Sequence, residues 1–148
     1  MKILIAPLNW GLGHATRCVP LVRRYVEQGN EVVLGGDGDS LAWLQRYFPN
    51  LRTIELASLD LRYSKGKSQV GAILKALPQL LRFSLEDEAR LNRLLQVEPF
   101  DLVVSDNRFG LRSERVKSVY ITHQLWIRLP RCGRWLEPLV ARLHARIY

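Results

Sequence analysis

Short apolar runs alternate with stretches whose apolar residues recur every three or four positions, and this alternation carries through most of the chain. Residues 2–6 are almost wholly apolar, as expected for a strand buried on both faces of a parallel sheet. A polar turn follows, and then Val19, Val22, Tyr25 and Val26 fall at helical spacing, with Gly29-Asn30 as the stop. Pro20 has no N–H to give to a helix, so it is expected near that helix's start. Residues 31–35 predict a second strand, 40–47 a short helix halted by Pro49-Asn50, and 52–56 a third strand. Residues 57–68 are polar and basic and read as a loop.

An apolar stripe (Ile73, Leu74, Leu77) then leads to Pro78, which is expected to open a separate helix carrying Leu81, Leu85, Ala89, Leu91, Leu94 and Leu95 as far as Val97. Strands are predicted at 101–105 and 118–122, and a last amphipathic helix shows Leu136, Leu139, Val140, Leu143 and Ile147. The order predicts an α/β fold: a Rossmann-like, doubly wound parallel sheet in three layers, strand order about 3-2-1-4-5. A single domain is expected over residues 1–148. The last helix meets the chain end without a Gly, Asn or Pro stop, which reads as a fragment of something longer.

Composition changes this picture little. With 47% hydrophobic and 24% charged residues the chain reads as soluble. No apolar run nears the roughly 20 residues that span a bilayer, and the apolar start is too short for a secretory signal, so a cytoplasmic location is expected. Cys18 and Cys132 have neither metal-type spacing nor the number for a disulfide framework, and Cys18 is expected in the core. Charge matters more. The chain carries +8, and from Arg108 to Tyr148 nine Lys/Arg face only Glu114 and Glu137. Such a field suits anionic partners such as phosphorylated small molecules or acidic headgroups, or is simply a solvated surface.

In a sheet of this order, ligands bind beyond the carboxyl ends of the strands, between strands one and four. Three segments converge there: residues 9–16, residues 106–110, and His123-Gln124. The first holds Gly11-Leu12-Gly13-His14, a turn whose amides could approach a phosphate or a developing alkoxide. It is no P-loop, and Thr16 stands where a dinucleotide fingerprint needs its third glycine. Asp37 or Asp39 could still serve as a ribose-binding acid, which leaves a non-catalytic anion- or nucleotide-binding module as an alternative. Asp37-Gly38-Asp39 looks like an Asp-x-Asp metal motif but lacks further ligands; turn chemistry and helix capping are expected of it, and no metal site.

Taken together, Gly11-Leu12-Gly13-His14-Ala15-Thr16-Arg17-Cys18-Val19-Pro20 and Gln28-Gly29-Asn30-Glu31-Val32-Val33-Leu34 resemble the opening of GT-B glycosyltransferases, with Asn30 replacing the second histidine of that pattern. Glu98-Pro99-Phe100-Asp101-Leu102-Val103-Val104 and Ser118-Val119-Tyr120-Ile121-Thr122-His123-Gln124 are similar to the family's approaches to strands four and five. The nearest general likeness is to the lipid II N-acetylglucosaminyltransferase and related UDP-sugar transferases. The resemblance implies an N-terminal, acceptor-binding domain whose C-terminal donor domain is absent. The isolated chain is then expected to be inactive.

The resemblance further implies metal-independent transfer of a hexosyl group from a nucleotide-sugar donor to an acceptor hydroxyl. The donor is a co-substrate held mainly by the other domain, and no cofactor is expected. His14 is the candidate base or acceptor-orienting residue, since a histidine titrates near neutrality. Asp106 would orient it or act as base, Gly11 and Gly13 would supply amides, and Asn9, Thr16, Asn107 and His123 are candidate acceptor contacts. The acceptor is expected to be a sugar or a lipid-linked one. Lys65 to Phe83 mixes basic and apolar residues, which permits peripheral contact with an anionic membrane or a core-facing helix with a solvated side. Nucleic acid is not expected as a partner, because no aromatic-studded basic groove is present. A UDP-sugar epimerase on the same fold is the enzymatic alternative.

Overall fold

The computed structural model describes residues 1–58, 69–122 and 138, and the backbone alone for 69–77. Its strands are β1 (Lys2–Pro7), β2 (Glu31–Gly36), β3 (Arg52–Glu55), β4 (Leu102–Asp106) and β5 (Lys117–Ile121), and its helices are α1 (Leu12–Glu27), α2 (Gly38–Tyr47) and α3 (Gln69–Val97). The strands pair in parallel in the order β3-β2-β1-β4-β5, as expected from the sequence. The predicted last helix and Cys132 fall outside the described residues, Pro138 aside.

Strand alternation sorts the core into two layers. Ile3 and Ile5 of β1 pack with Ala15, Cys18, Val19 and Val22 of α1 and Leu44 of α2. Leu4 and Ala6 face the other way, towards Leu91 of α3, Phe100 and Leu111. Side chains along a strand point alternately to its two faces, so a strand with helices on both sides must be apolar throughout. That is why Ile3 to Ala6 of β1 and Leu102 to Val104 of β4 read as unbroken apolar runs.

Two prolines behave differently from expectation. Pro20 lies well inside α1, because the helix begins at Leu12. Pro20 and Thr16, whose carbonyl Pro20 cannot serve, are both exposed, so water can take up that carbonyl. Pro78 likewise does not start a helix, since α3 runs through it. A proline in a helix interior costs about 3 kcal/mol. Here Phe83, Asp87 and Leu91, one helical turn apart, are buried on the far side of it and hold the helix to the sheet. Within the stretch predicted to meet a membrane or the core, Phe83 is buried while Leu81 is exposed.

At the opposite end from the strands' carboxyl termini, Glu98 joins three elements. Its carboxylate accepts from the Arg52 guanidinium at the start of β3 and pairs with Lys2 of β1 at 2.9 Å. Hydrogen bonds from Arg52 and then Lys2 hold its carboxyl at about 2, against an ordinary 4.5. A group whose folded value is depressed contributes stability above its unfolded value and loses it as the pH falls towards the folded one. The stability of the protein is therefore expected to fall between about pH 4.5 and about pH 2 by a step that Glu98→Gln abolishes. Solvent screening limits that step to about 1 kcal/mol. Urea denaturation of both forms across this range measures it.

Candidate functional site

The parity of β4 decides where its last residue points. Leu102 and Val104 belong to the α1 side of the core and Val103 to the α3 side, so Asp106 falls on the α1 side. Its backbone is tied to β1 by the pairing of Pro7 with Asp106 and by a hydrogen bond from Leu8 N to Asp106 O at 2.8 Å. From β1 the chain turns through Gly11, whose φ of 75° is in the region that favours glycine, and α1 starts at once. The expected long turn over 9–16 is thus shorter: Gly13, His14 and Thr16 are already helical.

The switch point between β1 and β4 brings His14 and Asp106 together. His14 Nδ1 lies 3.1 Å from Asp106 Oδ1. Arg17, three residues on and so on the same helix face, donates from Nε to Asp106 Oδ2 at 2.9 Å and from Nη2 to Oδ1 at 3.1 Å. The Asp106 side chain is fully buried, that of His14 is 9% exposed and that of Arg17 37%, which sets a polar cluster at the mouth of an apolar core. Arg17 Nη2 also stands 2.9 Å from His14 Nδ1. Nδ1 cannot accept from Arg17 and donate to Asp106 at the same time. An ionised carboxylate can only accept, so a neutral His14 ring hydrogen-bonded to Asp106 carries its proton on Nδ1 and its lone pair on Nε2. One turn further along, burial and then the charge of Asp106 push the Cys18 thiol up to about 12, so it stays neutral.

The other candidates divide. Gly11 and Gly13 face open space, where an added methyl would meet nothing within 4 Å. The Thr16 hydroxyl donates to Gly13 O at 3.0 Å and so serves its own helix. Asn9 serves a neighbouring helix: its Oδ1 accepts from Ser40 N of α2 at 3.3 Å. Asn107 is buried with φ 58°, and its Oδ1 accepts from the Tyr120 hydroxyl at 3.3 Å. His123 lies outside the described residues. Asp37 stands at the α2 N-cap position without capping it; its Oδ2 accepts from Ser58 N at 2.6 Å, and Asn9 supplies the bond to α2 instead.

Known proteins share this arrangement of strands and helices. A protein of Methanosarcina acetivorans named as an uncharacterized glycosyltransferase is 29% identical over 136 residues, which cover 84% of this chain and 32% of that protein. The glycotransferase of kitacinnamycin superposes with a TM-score of 0.62 at 15% identity, over 99% of this chain and 37% of that one. The spinosyn rhamnosyltransferase SpnG, in complex with thymidine diphosphate, gives 0.60 at 18% identity, over 97% and 41%. This chain is similar to glycosyltransferases in sequence and in fold. No family model matches it. It spans about a third of the length of the Methanosarcina protein.

Two arginines escaped the sequence reading. Arg17 was legible only as the residue three after His14. Arg108, counted there in a basic stretch and in the segment 106–110 expected to converge on a ligand, is fully buried. Its Nε and Nη2 donate to Asp87 Oδ2 and Oδ1 at 3.1 and 2.7 Å. Nη1 donates to Leu56 O and Ser58 Oγ, and Nη2 also to Ala57 O. The guanidinium lies over the Phe83 ring, 5.6 Å from its centroid. This cation therefore cannot meet a ligand; it fixes the turn after β4 that ends at the site. Asp87→Ala, which strands the buried charge, is expected to cost about 3–5 kcal/mol in chemical denaturation. The pair Asp87→Leu with Arg108→Met is expected to recover only part of that, because the carbonyl of Leu56 still loses its donor and that of Ala57 keeps only Arg90.

Proposed function

We propose that this chain is the acceptor-binding domain of a glycosyltransferase, with His14 as the base that takes the acceptor's proton. The observation that carries the reading is the contact between His14 Nδ1 and Asp106 Oδ1 where β1 and β4 end. An acceptor hydroxyl must shed its proton as its oxygen attacks the anomeric carbon and the nucleotide leaves. The Nε2 lone pair receives that proton, and Asp106 steadies the resulting imidazolium while fixing the ring. The N-terminus of α1 has no acidic residue in its first turn, and Gly13 leaves space in front of it, which suits negative charge forming on the leaving side.

In this reading the reaction moves a hexosyl group without a metal, and the acceptor is a sugar or lipid-linked hydroxyl. The donor is a nucleotide sugar held mainly by residues outside this chain. The likeness to a named glycosyltransferase, and to an enzyme in complex with thymidine diphosphate, supports that donor class. Residues 1–148 alone are then expected to turn over no donor.

The test is donor consumption with product analysis by mass spectrometry, on the full product of the gene. His14→Ala is expected to lower turnover by about 10²–10⁴-fold, and Asp106→Asn by about a hundredfold or more. Unchanged turnover in His14→Ala would overturn the role of His14. A changed sugar nucleotide formed with no acceptor present would point to an epimerase instead.

A further inference from the structure

A fully enclosed carboxylate must be matched by positive charge or take up a proton. Asp106 is such a group, and α1 presents two partners to it, His14 and Arg17. A third titratable side chain of α1, Cys18, is neutral because burial pushes its thiol up. The residues of β1 and β4 around Asp106 are apolar or uncharged, and on β5 the Tyr120 hydroxyl bonds to Asn107. Among the described residues, the charge of Asp106 is therefore balanced chiefly from one helical turn.

We infer that Arg17 is a positioning residue that keeps Nε2 of His14 unprotonated, an inference that rests on reading His14 as the base. The fork from Nε and Nη2 touches both oxygens of Asp106 and supplies a permanent cation. Without it the buried pair is left one positive charge short, and a balancing proton has two places to go. On His14 it makes an imidazolium with both ring nitrogens protonated. On Asp106 it makes a hydroxyl that donates to Nδ1, which moves the ring's own proton to Nε2. Either way Nε2 carries hydrogen and can no longer accept one from a substrate. A lysine would restore the charge but not the two-point hold, because its ammonium is a single point on a flexible stem.

Nitrogen-15 NMR of the histidine rings reads this directly, on the 148-residue chain near neutral pH. The His14 signals are identified by their loss in His14→Gln, and the amide spectrum reports that each variant is folded. The wild type is expected to show Nδ1 protonated and Nε2 unprotonated. Arg17→Gln is expected to lose the unprotonated-nitrogen signal, and Arg17→Lys to recover part of it. If Arg17→Gln does not fold, Arg17→Lys decides, because a spectrum matching the wild type at every pH would overturn the inference. Loss of the wild-type tautomer in Asp106→Asn, with Arg17→Gln unchanged, would overturn the role of Arg17 and leave the His14–Asp106 pair standing. A wild type protonated on Nε2 would instead sink the reading of His14 as base.

Discussion

The guanidinium of Arg108 is sealed inside the chain, and each of its five N–H donors has an acceptor there. A buried cation is tolerated only when paired and fully hydrogen-bonded. Asp87 supplies the charge, and the carbonyls of Leu56 and Ala57 and the Ser58 hydroxyl take up the rest. One side chain thus joins α3, the end of β3 and the turn after β4. Arg90, which reaches Asp87 and Ala57 O from the next turn of α3, reinforces the same junction. Gly110 completes it from the backbone side: an added methyl there would sit 1.9 Å from the carbonyl oxygen of Ser84.

The constraint reaches the site through three consecutive residues. In an extended strand, residues two apart share a face. Asp106 and Arg108 do not, because Asn107 between them adopts φ 58° and breaks the strand. Asp106 is left facing α1, where it meets His14 and Arg17, while Arg108 turns to α3 and locks the turn. The carboxylate is therefore fixed from behind by a structural arginine and in front by a second arginine on the helix that also carries the histidine. Two buried or half-buried Arg–Asp pairs with different tasks lie two residues apart in sequence.

The fold was largely legible in the chain. Apolar runs at β1, β2 and β4, and the helical spacing of Val19, Val22 and Tyr25, determine a parallel sheet with helices on both faces, since only that arrangement buries a strand twice. Topology then places the ends of β1 and β4 side by side, so the meeting of His14 with Asp106 also followed from sequence. Local propensity misled at Pro20 and Pro78, where packing over several turns outweighs the loss of one hydrogen bond.

What the sequence by itself determined, then, was the order of elements and the end of the sheet at which polar residues gather. Only the tertiary structure decided what each polar side chain does there. Asn9 turned out to serve α2, Thr16 its own helix, and Arg108 the core, while Arg17 joined the site. The reason is that periodicity reports burial, which is a property of a face, whereas a hydrogen bond depends on direction and distance between groups as far apart as the 89 positions that separate Arg17 from Asp106.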